Sequence, residues 1–237
     1  MIPQQRLPDT SALHEAAAQR ILELARAAIA ARGAFHIALS GGNTPRGLHA
    51  RLAREPGVDW QHWHVWFGDE RCVPPDHADS NYHMARETLL DRVTIPVGQI
   101  HPMIPTAGLA PAEAARLYAA QLADEAPRRD DRPELDLILL GLGGDGHTAS
   151  LFPGTAILDE HEHDVAEVFV PKLDAWRVSL TRPSIERARH VLFLVDGNGK
   201  TGILQRLERG PAEAETPLPV ERLQPQGKLE WYISQPQ

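Results

Sequence analysis

The chain has 237 residues, 42% of them hydrophobic and 24% charged, with 24 basic against 32 acidic side chains and a formal net charge of −8. This is enough apolar material for one α/β domain spanning residues 1–237, and the absence of any Lys/Arg-rich run argues against nucleic-acid binding. An anionic ligand would have to be met by a local basic pocket, and the single cysteine, Cys72, excludes an internal disulfide and a cysteine-rich metal site.

The N-terminal residues lack the charged-then-apolar layout of a signal peptide. No apolar run approaches the roughly 18 residues of a membrane span, so a cytoplasmic location is expected. Residues 11–32 read as a helix capped by Ser11, with Ala, Leu and Ile at helical spacing and Gly33 at the exit. Residues 35–40 read as a buried strand ending in glycines. Residues 64–67 read as a second strand, followed by a Pro-rich loop to Ser80. Helical patterns cover 80–91 and 111–125. The clearest strand is 135–140, running into Gly141, Gly143 and Gly144; residues 177–181 and 190–195 are two more. A helix over 200–209, a Pro-rich surface loop over 210–219 and a last strand over 228–233 complete the chain. Strands alternating with helices imply a mostly parallel sheet covered on both faces. Ligands of such sheets bind outside the carboxyl ends of the strands, which directs attention to the loops at 40–45, 68–71, 141–147 and 196–197.

In the first loop, Ser40, Gly41, Gly42, Asn43 and Thr44 precede Pro45. Pro45 suits the first helical position, which makes Thr44 the cap and aims free N–H groups and the helix dipole at one spot. That spot suits a phosphate; the other reading is a tight strand-to-helix turn. A Walker A ending is absent. In the second loop, Asp69, Glu70 and Arg71 form either a surface ion network or a site. In a site, Arg71 is a fork for phosphate or carboxylate oxygens, and Asp69 orients a base or bonds sugar hydroxyls. The third loop matches G-x-G-x-x-G literally, yet Pro153-Gly154 interrupts where the long helix of a dinucleotide site should run. The loop instead presents His147, whose ordinary pKa suits proton transfer, with Asp145 placed to fix its tautomer or bind a hydroxyl. The alternative is that His147 caps the following turn. His161, His163 and Asp164 do not have the spacing of a helical zinc pair and read as a solvated acidic loop. No G-x-S-x-G elbow occurs, and Cys72 reads as a packing residue.

Together these segments resemble the 6-phosphogluconolactonase family, which shares a superfamily with glucosamine-6-phosphate deaminases and ribose-5-phosphate isomerases. The matching pieces are residues 39–45, residues 67–74 with Ser80-Asn81-Tyr82, and residues 141–153 (Gly-Leu-Gly-Gly-Asp-Gly-His-Thr-Ala-Ser-Leu-Phe-Pro). Residues 177–181 and Lys200 match later segments, so the resemblance runs in order along nearly the whole chain.

The resemblance implies a three-layer α/β/α sandwich on a modified doubly wound, mostly parallel sheet. It implies hydrolysis of 6-phospho-D-glucono-1,5-lactone in the oxidative pentose phosphate pathway, with no cofactor and no metal. It assigns His147 as general base, Asp69 and Asp145 to the site, and Arg71 and Lys200 to the phosphate with the 40–44 loop; Arg177 is a further contributor. The small-molecule phosphorylated lactone is the expected partner, with no nucleic acid and no membrane, for a monomer or weak homo-oligomer. The deaminases carry a glutamate five residues after the histidine, where this chain has Phe152, which favours the lactonase. Gly144 stands where many relatives have proline, and the tail after Trp231 lacks a common aspartate. The competing readings are a deaminase-like isomerase on the same scaffold and a non-catalytic sugar-phosphate-binding regulator. The oxyanion is left to N–H groups of the 143–146 loop or to a cation.

Overall fold

A computed structural model describes residues 4–211 and 215–236. The chain opens with β1 (Gln4–Leu7), α1 (Thr10–Arg32), β2 (Phe35–Leu39) and α2 (Asn43–Leu52). There follow β3 (Trp63–Phe67), β4 (Asp69–Arg71), α3 (Asn81–Thr88) and α4 (Pro111–Glu125). A short hairpin, β5 (Arg128–Arg129) and β6 (Arg132–Pro133), leads to β7 (Leu137–Leu140), β8 (Val165–Val170) and β9 (Ala175–Leu180). The last elements are α5 (Arg182–Arg187), β10 (His190–Val195), α6 (Thr201–Arg209) and β11 (Lys228–Ser234).

The predicted parallel sheet is present, with order β1-β11-β10-β7-β2-β3, all pairs parallel, and helices on both faces. Its inner strands are buried throughout, as in Phe35–Leu39 and Leu137–Leu140, because helices cover both sides. Large rings fill the β2–β3 edge: Phe35 meets Trp63 edge-on at 4.8 Å, and both are fully buried. Each such ring contributes on the order of 2–3 kcal/mol through the apolar surface it removes from water.

Strand 177–181 was expected in this sheet. It belongs instead to β9 of a separate antiparallel sheet, order β4-β9-β8. Gly68 joins the two sheets: its N–H donates to Leu39 C=O at 2.8 Å, and its own C=O accepts from Leu180 N–H at 2.9 Å. This second sheet carries part of the cavity wall.

Helix boundaries show where local chemistry differs from the sequence reading. The first helix begins at Thr10, because the Asp9 carboxylate accepts from Ala12 N–H at 2.8 Å and takes the capping place expected of Ser11. Gly33 closes it as predicted, with φ +82°. In α2 the cap is Gly42 at φ +104°, not Thr44. Pro45 is then the third helical residue, which costs nothing because the N–H groups of the first turn have no helical acceptor. The helix expected over 80–91 ends at Thr88, and Ser80 caps it by accepting from His83 N–H at 3.1 Å. Of the loop expected over 210–219, residues 212–214 lie outside the described residues. No helix among the described residues is long and apolar enough to cross a membrane.

Candidate active site

The carboxyl ends of β2, β3, β7 and β10 open on one side of the parallel sheet, and a cavity of about 360 Å³ sits there. Of the residues expected in a site, Ser40, Gly41, Gly42, Asp69, Arg71, His147, Arg177 and Lys200 line it. Asn43 and Thr44 do not line the cavity; they belong to the first turn of α2. The Thr44 carbonyl accepts from His14 of α1, and His14 packs where Gly47 leaves room for it. Asp145 stands behind His147 and touches the cavity only through its partners.

The glycines of the first loop have different physical reasons. Gly42 adopts the left-handed half of backbone space, which a side chain would strain. Gly41 has ordinary φ, but a Cβ there would lie 1.8 Å from Asn81 Oδ1, so the amide of Asn81 fills the space its side chain would take. Asn81 also holds Asp69: its Nδ2 donates to the Asp69 carbonyl at 2.8 Å and to Oδ1 at 3.3 Å. The Ser150 hydroxyl donates to Asp69 Oδ2 at 2.6 Å. Asp69 thus enters the cavity as a fixed hydrogen-bond acceptor with no bond to His147.

Glu70 faces inward, 1% exposed. Its carboxylate accepts from the N–H groups of Arg71, Asn81 and Tyr82 and from the Ser80 hydroxyl, at 2.7 to 3.0 Å. Burial pushes this carboxyl up, while the four donors oppose the shift. The side chain that sequence reading placed in an ion network or a site is a clamp that closes the loop between β4 and α3.

The two guanidinium groups on the second sheet have few partners. Arg71 and Arg177 are directly opposed in the β4–β9 ladder, and both Nε atoms are buried without an acceptor. Arg71 donates to the Asp79 carbonyl at 2.6 Å, whereas Arg177 makes no side-chain hydrogen bond among the described residues. Burial, then the charge of Arg71, pulls the Arg177 pKa below its usual value. Lys200, the residue before α6, reaches the same cavity and has no ion-pair partner among the described residues. Three cations without matching carboxylates make a place for an anion.

The loop after β7 forms no helix, in keeping with the rejection of a dinucleotide fingerprint. It turns tightly instead: Gly146 and Ala149 have φ of +78° and +46°, and a Thr148–Leu151 bridge closes the turn. His147 Nδ1 is 2.5 Å from Asp145 Oδ1. A carboxylate in that place requires the proton on Nδ1, which leaves Nε2 as the basic nitrogen. Burial tends to raise the Asp145 carboxyl, but hydrogen bonds from Lys172 and His147 outweigh it and hold the group well below the ordinary range. Burial lowers the His147 pKa. Asp145 works against that shift, and Lys172 with it. His147 is therefore neutral near pH 7. Phe152 stacks on the imidazole at 4.1 Å and 26°, and a Cβ on Gly143 would meet Nδ1 at 2.0 Å.

Sequence reading missed Lys172, in the turn Pro171–Leu173 between β8 and β9. It lines the cavity, bonds Asp145 Oδ2 and lies 4.6 Å from the centre of the Phe152 ring. A signal was present in the composition: the chain has three lysines against 21 arginines, and two of the three, Lys172 and Lys200, line this cavity. His161 and His163 are spent on surface contacts, to Arg182 at 3.0 Å and Glu160 at 3.3 Å. Burial raises the Cys72 thiol to about 11, in keeping with a packing residue.

Comparison with known proteins adds a family. The sequence profile described as "Glucosamine-6-phosphate isomerases/6-phosphogluconolactonase" matches residues 8–231. The chain is 46% identical over 210 residues to 6-phosphogluconolactonase of Synechocystis, covering 88% of this chain and 85% of that protein. It is 40% identical over 233 residues to human 6-phosphogluconolactonase, covering 94% and 87%. Among solved structures, 6-phosphogluconolactonase from Thermotoga maritima superposes with a TM-score of 0.84 at 26% identity, covering 99% of this chain and 100% of that one.

Proposed function

This chain belongs to the glucosamine-6-phosphate isomerase/6-phosphogluconolactonase family, and we propose that it hydrolyses 6-phospho-D-glucono-1,5-lactone to 6-phospho-D-gluconate in the oxidative pentose phosphate pathway. The observation that carries this reading is one cavity holding both a carboxylate-oriented neutral imidazole, His147, and three cations without matching carboxylates, Arg71, Arg177 and Lys200.

The substrate phosphate carries about −1.5 to −2 charges near neutrality. Arg71, Arg177 and Lys200 take it, with the N-terminus of α2 beyond Ser40, Gly41 and Gly42 adding its dipole. Asn43 and Thr44 contribute backbone N–H groups at most. Asp69, fixed by Ser150 and Asn81, accepts from a sugar hydroxyl. This anchoring positions the lactone carbonyl and replaces a bimolecular encounter by a fixed geometry. His147 Nε2 then removes a proton from water as the water oxygen adds to the carbonyl carbon. The same proton goes to the ring oxygen when its bond to that carbon breaks. Asp145 stabilises the imidazolium formed between these steps.

A deaminase-like reading has no support at its decisive position. Five residues after the histidine stands Phe152, an apolar wall against the imidazole, where an isomerising enzyme would need an acid or base.

The test generates the lactone in situ from glucose 6-phosphate and follows its disappearance with and without protein. Acceleration over spontaneous hydrolysis is expected, falling about 10²- to 10⁴-fold in His147→Ala. Hydrolysis at the spontaneous rate with folded wild-type protein would overturn the reading.

A further inference from the structure

Hydrolysis of a lactone puts negative charge on the carbonyl oxygen, and the group that meets that charge is usually the largest single contribution to the rate. Three backbone donors of the loop carrying His147 are already engaged within the loop. Gly143 N–H donates to the His147 carbonyl at 2.8 Å and Gly146 N–H to the Gly143 carbonyl at 3.0 Å. His147 N–H is taken by Asp145 Oδ1 at 3.2 Å.

The cation bound to the same frame as the base is Lys172. One carboxylate bridges the two: Asp145 Oδ1 holds His147 Nδ1, and Asp145 Oδ2 holds the Lys172 ammonium. One ring also supports both, since Phe152 stacks on the imidazole at 4.1 Å and lies 4.6 Å from the Lys172 nitrogen. Arg71 and Arg177 are fixed elsewhere, by the β4–β9 pairing, and neither bonds Asp145 or His147. The chemistry of the residue fits the task. In a chain with 21 arginines and three lysines, this place holds a lysine, a compact point charge on a flexible stem rather than a planar fork.

We propose that Lys172 is a catalytic residue, the cation that faces the oxyanion formed when water adds to the lactone carbonyl. This rests on the lactonase reading above. As the water oxygen bonds to the carbonyl carbon, its proton passes to His147 Nε2 and the carbonyl π pair moves onto oxygen beside the Lys172 ammonium. The oxyanion then reforms the carbonyl. The bond from carbon to ring oxygen breaks, and the ring oxygen takes the proton from His147. The new carboxylic acid loses its own proton to solvent, and Lys172 keeps its protons throughout.

The test compares wild type, K172M and K172R on the phosphorylated lactone and on unphosphorylated D-glucono-1,5-lactone. The Lys172 side chain is 49% exposed, so K172M is expected to fold, and circular dichroism with thermal melting checks it. The expected result is a kcat loss of about 10²- to 10³-fold on both lactones in K172M, with KM little changed and partial recovery in K172R. The preference for the phosphorylated lactone should persist. A pH profile gives a second readout. The charges acting on His147 are Asp145, Lys172 and Asp69, and Lys172 lowers its pKa, so the acid limb of kcat/KM should move to higher pH in K172M. A rise in KM confined to the phosphorylated lactone would overturn the proposal, by making Lys172 a phosphate anchor. Wild-type kcat in folded K172M would overturn it as well. Failure of wild type itself to accelerate hydrolysis would overturn the lactonase reading instead.

Discussion

Arg71 and Arg177 stand opposite each other in the β4–β9 ladder, on the same face, with buried Nε atoms that no acceptor meets. Like charges directly opposed on a sheet cost about 0.2–1 kcal/mol. A bound dianion converts that cost into attraction. Inorganic phosphate or 6-phosphogluconate should therefore raise the melting temperature, and at 100 times its Kd a ligand adds about 2.7 kcal/mol. Arg177→Gln should lose most of that ligand-dependent rise while its ligand-free melting temperature stays equal or higher. A lower ligand-free melting temperature with an unchanged response to phosphate would mean that Arg177 supports the fold and not the anion.

The Asp145–His147 pair predicts the pH dependence of turnover. The base must be neutral, and burial lowers the His147 pKa below the ordinary 6.5. Activity should hold across neutral pH and fall only as pH drops through that lowered value. In Asp145→Asn the imidazole loses the acceptor that fixes its tautomer, and kcat should fall by about 10²- to 10⁴-fold. The measurement is a kcat/KM profile from pH 5 to 8 with spontaneous hydrolysis subtracted. An acid limb above the free-imidazole value would show that His147 is not the group titrating.

Gly143 gives a steric test of the same pair. A methyl group there would sit 2.0 Å from His147 Nδ1 and 2.2 Å from Cε1, so the imidazole must leave its place against Phe152. Gly144, one residue on, has nothing within 4 Å of an added Cβ. Gly143→Ala should cost at least about 10²-fold in kcat, comparable to losing the base, while Gly144→Ala retains activity. Both variants should melt near wild type. Equal activity in the two would mean that the ring position is not critical.

What the sequence made legible is what local pattern controls. Gly33 ends the first helix where expected because the left-handed exit is a one-residue property, and Leu137–Leu140 is continuously apolar because both faces are covered. The His147 loop was readable from its glycines. The features that escaped depend on pairing between distant segments. Arg177 is opposite Arg71 only through the register of an antiparallel sheet whose third strand, β8, follows an acidic loop and shows an irregular burial pattern. Lys172 reaches Asp145 from 27 residues away, across a turn with no motif of its own. Glu70 reads as part of either a surface ion network or a site with Asp69 and Arg71, yet alternation along β4 turns it inward while its neighbours face the cavity.

Three buried histidines outside the site predict how the fold responds to acid. His36 is 5% exposed, and His49 and His101 are fully buried. Burial, as the largest cause, lowers their pKa values to about 3, 4 and 4. His36, His64 and His101 stack beside Trp66, with His36 over His64 at 4.3 Å and Trp66 over His101 at 3.8 Å, so charging one ring would place it against neutral or charged rings. Above pH 6.5 both folded and unfolded chains carry these histidines neutral, and they contribute no pH dependence. As pH falls below 6.5 the unfolded chain takes up protons that the folded chain refuses. Stability then drops by about 1.4 kcal/mol per pH unit for each histidine, until pH reaches the folded-state value. Three such groups remove several kcal/mol by pH 4.5, a large share of the roughly 5–15 kcal/mol of an ordinary domain. Urea midpoints at constant m-value should fall steeply between pH 6.5 and 4.5. His49→Met, which removes one titrating group, should shallow the slope by about one proton's worth. A slope unchanged in that variant would assign the acid response to groups other than the buried histidines.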